Sequence, residues 1–196
     1  MNLTKQLKLL AGVLLLLVGN AAWAAMTGSA HDFTDDQAGT DSWAGGDWCS
    51  VCHTPHNPSG TDAPLWDHNS ADTTGWTAYG TTSQGTVVGL PTGISKACMG
   101  CHDGVTNLDA YGGAVGTTTL GTAYTGTTAV VGTDMSQNHP VSVANHASYS
   151  SPTNAVLYSG NVECASCHDV HNGAGIAMLL RTSNASGALC QECHNK

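Results

Sequence analysis

Four pentapeptides constrain this chain more than anything else in it. They are Cys49-Ser50-Val51-Cys52-His53, Cys98-Met99-Gly100-Cys101-His102, Cys164-Ala165-Ser166-Cys167-His168 and Cys190-Gln191-Glu192-Cys193-His194. Together they use all 8 cysteines. Two thiols at this spacing sit on one turn of backbone, and the histidine that follows projects from the same turn. C-x-x-C-H is the attachment pattern of c-type haem. Each thiol forms a thioether to a haem vinyl group, and the adjacent imidazole supplies the proximal iron nitrogen. A disulfide framework would account for an even number of cysteines in an exported chain. Zinc would account for paired cysteines with histidine. Neither accounts for a histidine directly after every pair. The cofactor expected is therefore four haem c, bound through Cys49, Cys52, Cys98, Cys101, Cys164, Cys167, Cys190 and Cys193. His53, His102, His168 and His194 are the proximal iron ligands.

The first 24 residues read as an export signal. Lys5 and Lys8 form a basic start, Leu9 to Val18 an apolar run, and Ala22-Trp23-Ala24 a cleavage site. That apolar run falls well short of the roughly 20 residues that a membrane-spanning helix needs. After cleavage no membrane span is expected. Lys96, Arg181 and Lys196 then face all 14 acidic residues, a formal charge of −11. Such a surface repels nucleic acid and anionic lipid and excludes both as partners.

With 24 Gly, 24 Thr, one Phe and only 10% charged residues, there is little material for an ordinary core. A TIM barrel or doubly wound sheet needs long aliphatic strands and helices, and none is visible. The expected fold is a mostly irregular multihaem cytochrome c. It has one helical turn per motif, a few short helices and a few short strands, and a haem stack forms its core. Thr86-Val87-Val88 and Val130-Val131 are the strand candidates.

A repeat organises the chain. The first half reads Cys49–His53, His56-Asn57, Leu65-Trp66, Cys98–His102. The second reads Cys164–His168, His171-Asn172, Leu179-Leu180, Cys190–His194. Each half has a histidine upstream of its first motif, His31 and His139. The expected organisation is a signal peptide (1–24), a first two-haem module (25–110), a Gly/Thr-rich linker (111–135) and a second two-haem module (136–196).

Six histidines remain for the distal faces of four irons. His53 and His56 are one turn apart, as are His168 and His171, so each pair leaves the same side of the backbone. Two such residues cannot occupy opposite faces of one iron. His56 and His171 are thus expected to ligate a haem other than the one attached beside them. The repeat makes His31 and His139 the other two distal ligands, with His68 and His146 in reserve. Methionine would raise the potential, and Met135 and Met178 make weaker cases than the histidines. His31 stands so close to the mature N-terminus that it can reach a haem of its own subunit or of the next.

The run Cys164–His168-Asp169-Val170-His171-Asn172, with Met178-Leu179-Leu180 and Cys190–His194, resembles the doubled C-x-x-C-H module of multihaem cytochromes. Gly28-Ser29-Ala30-His31-Asp32-Phe33, Cys49–His53-Thr54-Pro55-His56-Asn57, Pro64-Leu65-Trp66-Asp67-His68 and His139-Pro140-Val141 deepen the likeness. Over its mature length the chain is similar to cytochromes of the outer-membrane cytochrome E type, which polymerise into extracellular nanowires. The resemblance implies a filament subunit with all-histidine ligation, in which haems run from one subunit to the next. It also implies self-association head to tail and, for some subunits, a ligand donated to a neighbour's haem.

An iron with both axial positions filled by protein passes electrons and does not bind substrate. No C-x-x-C-K, the mark of a nitrite-reducing haem, occurs in the chain. The expectation is therefore no enzyme but an electron carrier, exported and assembled as a filament at the cell surface or outside it. It would exchange electrons with other redox proteins or extracellular acceptors. The alternative is a monomeric periplasmic shuttle or the electron-feeding subunit of a reductase. Intact mass spectrometry of the purified protein should find four covalent haems and no free thiol. A lower haem count would sink the attachment scheme.

Overall fold

Regular structure is sparse, as a chain rich in glycine and threonine and poor in aliphatic runs dictates. The computed structural model describes residues 26, 28–33, 49–123 and 129–195. The export segment expected over 1–24 lies outside them, as do residues 124–128 of the Gly/Thr-rich stretch. Two short antiparallel pairs are present: β1 (Gly80–Thr81) with β2 (Val87–Val88), and β3 (Val143–Ala144) with β4 (Asn161–Val162). Of the two strand candidates, Val87-Val88 forms β2, whereas Val130-Val131 is irregular. The Val131 amide bonds instead to the His102 carbonyl at 2.8 Å.

The longest helix among the described residues is α1 (Gly93–His102), which contains the second motif. It is followed by α2 (Leu120–Ala123), α3 (Cys164–Cys167) and α4 (Ala188–Gln191). Two 3₁₀ turns, Ala177–Leu179 and Ala185–Gly187, precede α4. α1 stops at Asp103, whose buried carboxylate accepts the amides of Val105 at 2.8 Å and Thr106 at 2.7 Å. Among the described residues no helix is long and apolar enough to cross a membrane.

The side-chain core is small. Ala71, Met99 and Met135 are buried together, with Trp76 and Val141 packed against them. Larger apolar side chains such as Val87, Val115 and Met178 are left at the surface, each more than three-quarters exposed. Fold and composition agree: this is an irregular chain with a few short helices and two minimal sheets.

The internal repeat is visible in the backbone. After the first motif the chain turns and comes back, so that His53 bridges Trp66. After the third it does the same, so that His168 bridges Leu180. The bonds correspond one for one: Thr54 N–H to Leu65 O at 2.9 Å and Asp169 N–H to Leu179 O at 2.6 Å. Likewise Asp67 N–H meets Cys52 O and Arg181 N–H meets Cys167 O, both at 2.9 Å. Even the left-handed residues recur, with Asn57 (φ 52) matching Asn172 (φ 53) and Leu65 (φ 53) matching Leu179 (φ 56). A leucine in this region is uncommon enough that its recurrence marks a duplicated loop, one residue shorter in the second copy.

Gly100, inside the second motif, is required by close packing rather than by its backbone angles. A Cβ there would lie 2.6 Å from the Asn69 carbonyl oxygen and 3.2 Å from His68 Nδ1. Gly100→Ala should lower stability by about 1–3 kcal/mol, the usual cost of overpacking. Thermal unfolding of the haem-loaded protein checks this, and a Tm equal to the wild type would reject it.

Candidate haem-binding site

Each motif is closed by a hydrogen bond that brings the histidine over the first cysteine. His53 N–H bonds to Cys49 O at 2.8 Å, His168 N–H to Cys164 O at 3.1 Å and His194 N–H to Cys190 O at 2.9 Å. In the second motif the same residues form the last turn of α1. The two thiols and the imidazole therefore leave one helical turn in every case. None of the eight cysteines is in a disulfide. No three His, Cys, Asp or Glu side chains gather into a metal-sized cluster among the described residues.

Three attachment histidines have one ring nitrogen occupied by backbone. His53 Nδ1 meets the Pro64 carbonyl at 2.8 Å, His102 Nδ1 the Ala129 carbonyl at 2.7 Å and His168 Nδ1 the Met178 carbonyl at 2.9 Å. A carbonyl only accepts, so Nδ1 carries the proton and Nε2 keeps its lone pair. A bond of this kind fixes the tautomer and orientation of an imidazole that is to bind a metal. The first and third are equivalent in the repeat. Both carbonyls come from the returning limb of the duplicated loop.

The rings meet in pairs. His31 and His102 have centroids 5.9 Å apart, His53 and His171 6.4 Å, and His139 and His194 6.3 Å. A ligating nitrogen lies about 2 Å from its metal, and half an imidazole adds about 1 Å on each side, so two rings sharing one iron have centroids about 6 Å apart. All three pairs meet that requirement. The residues present fit haem. Cys49 and Cys52 would hold the group between His53 and His171, Cys98 and Cys101 that between His102 and His31, and Cys190 and Cys193 that between His194 and His139.

His31 is held in place locally. Its amide bonds to Ser29 Oγ at 3.2 Å, and the buried Asp32 carboxylate accepts the Gly28 amide at 2.7 Å. Loss of water pushes its imidazole down to about 4, helped by repulsion from His102, His168 and His171. It is thus neutral at neutral pH, the form that binds iron. His31 thus lies against His102 of its own chain.

The other candidates are placed differently. His56 is exposed, with Asn57 Nδ2 beside its Nδ1 at 3.5 Å. His146 Nδ1 lies 2.8 Å from Ser148 Oγ, and its ring packs on Tyr149, which in turn packs on His194 at 4.6 Å. His68 is 1% exposed, with Nδ1 on Asn69 O at 2.9 Å and Nε2 on Leu108 O at 3.1 Å. Two carbonyls compete for its ring protons, and Cys101 Sγ is 3.5 Å from Nε2.

Further side chains shape the site. Trp66 stands edge-on to His53 at 5.9 Å, and its buried Nε1 has no acceptor from the protein. A donor so placed is available to a bound group. Burial raises the thiols of Cys101, Cys167 and Cys193 and takes Cys52 up to about 11. Interaction between the neighbouring Cys98 and Cys164 thiols raises Cys98 and lowers Cys164 to about 7. Ser95 and Glu163, both buried, sit beside that pair. Nothing in the cysteine and histidine pattern pointed to them, and the reciprocal bonds of Glu163 and Ser166 at the start of α3 appear only in the structure.

Residues 155–196 match the family model of the doubled CXXCH motif. This segment is a c-type haem-binding unit. It supports a multihaem cytochrome that binds haem c covalently and serves electron transfer. No curated protein matches the chain.

The opposed rings make a direct test. His171→Ala removes the ring facing His53 and leaves every attachment motif intact. The covalent haem count should stay the same while a high-spin, carbon monoxide-binding fraction appears for one haem. A spectrum that remains wholly low-spin would reject the His53–His171 pair.

Proposed function

We propose that this chain is a four-haem electron carrier with histidine on both faces of every iron, and that it works as the subunit of an extracellular conductive filament. The observation that carries the electron-transfer reading is the opposition of His53 in the first half to His171 in the second. His171 lies three residues after His168, itself an attachment histidine, where the chain has left α3 in extended conformation. One short stretch of backbone therefore serves two different irons. Electron exchange between the groups held there needs no large motion of the chain.

The repeat extends the scheme to the fourth pair. His31 and His139, the upstream histidines of the two halves, face the second attachment histidine of their own half. His171 crosses to the other half. Applied in reverse, the same rule assigns His56 to the iron of His168. His68, with both nitrogens on carbonyls, and His146, on Ser148 and Tyr149, are then structural.

Haem c supplies one-electron chemistry when bound. The protein contributes two axial nitrogens per iron, covalent anchors, and carbonyls that fix the imidazole tautomers. With no axial position left open there is no place for a substrate, so the chain is a carrier and not an enzyme. All-histidine ligation, without the methionine that raises potentials, keeps them low.

The filament reading rests on the resemblance of the motif flanks to the outer-membrane cytochrome E type. It implies export, location outside the cell, and copies of this chain as the first partner, with other redox proteins or extracellular acceptors at the ends. Electron microscopy of the secreted fraction should show filaments that carry the haem absorbance. Monomer-sized particles confined to the periplasm would replace the filament by a soluble shuttle and leave the electron-transfer reading standing.

A further inference from the structure

Glu163 is only 6% exposed, and Ser95 beside it is fully buried. A charge so placed is costly unless hydrogen bonds satisfy it. The carboxylate accepts from Ser95 Oγ, from Ser142 Oγ at 3.0 Å and from the backbone amide of Ser166. Ser95 Oγ also accepts the Cys164 amide at 3.0 Å, which leaves its one hydrogen for Glu163. Ser142 Oγ accepts the Thr92 amide at 2.9 Å, immediately before α1. One side chain thus ties the start of α1, the first turn of α3 and the approach to β3.

The place of this knot matters more than its strength. Ser95 is three residues before Cys98 and shares its helix face. Glu163 directly precedes Cys164. The Cys164 amide on Ser95 Oγ brings the first turn of α3 against the part of α1 that carries Cys98. The attachment points of the second and third motifs are therefore neighbours, with a buried carboxylate beside both.

We propose that Glu163 is a positioning residue for the two haems anchored at Cys98 and Cys164, and that its buried charge holds their reduction potentials down. The hydrogen bonds draw α1 and α3 together and set the spacing of the two anchors. A negative charge in a poorly screened place favours the oxidised, more positive iron. This rests on the haem-binding reading above.

Potentiometric titration of the haem-loaded protein, with intact mass to count haems, tests it. Glu163→Gln keeps the shape and removes the charge, so two components of the titration should move upward with every haem attached. Ser142→Ala keeps the charge and withdraws one donor from it, so the same two components should move downward. Opposite signs are a signature that mere loosening of the fold would not produce. A Glu163→Gln titration that superimposes on the wild type, or shifts of one sign in both variants, would overturn the proposal. If Glu163→Gln loses a haem, Ser142→Ala decides alone, and an unshifted titration rejects it. A wild-type mass lacking haem at the second or third motif would instead remove the haem reading beneath it.

Discussion

Nδ1 of His53, of His102 and of His168 each meets a backbone carbonyl from a distant part of the chain, and much of the rest follows from those contacts. To bring Pro64 O to His53, the segment after the motif must turn back on itself. The same holds for Met178 O and His168. That return creates the His53–Trp66 and His168–Leu180 bridges. The contact also bears on chemistry, because a proton held at Nδ1 leaves the lone pair on Nε2. Local fold and metal affinity are here one hydrogen bond seen from two sides.

A chain with so little buried apolar surface cannot rely on side-chain packing. What it has instead are short polar locks placed next to chemistry. Asp103 caps the turn after His102, Asp32 braces the segment of His31, and Glu163 joins the second and third motifs. Large apolar residues left at the surface, such as Val115 and Met178, suit a wrapper around bound groups better than a self-sufficient core.

The opposed histidines link the two halves. An upstream histidine faces the second attachment histidine of its own half, as His31 faces His102 and His139 faces His194. His171 faces His53 across the repeat. The second half thus reaches into the first at the first motif, while each half keeps its own ring pair at its second motif.

Motif chemistry is local, and local chemistry was readable. Four Cys-x-x-Cys-His turns announce attachment because five consecutive residues contain every group the bond requires. The one-turn relation expected between His168 and His171 does not hold, because His168 leaves α3 in extended conformation to bridge Leu180, yet the ring that faces His53 is still that of His171. Duplication was legible as parallel order, and the sparse regular structure followed from glycine, threonine and missing aliphatic runs. What the sequence left open was partner choice. His31, His68 and His146 are equivalent as letters, yet one faces His102, one is shut between two carbonyls and one packs on a tyrosine. The Ser95–Glu163–Ser142 knot joins residues that lie tens of positions apart, and no period or spacing encodes it. Those outcomes depend on how distant segments return to each other, and only the tertiary structure decides which ring stands opposite which.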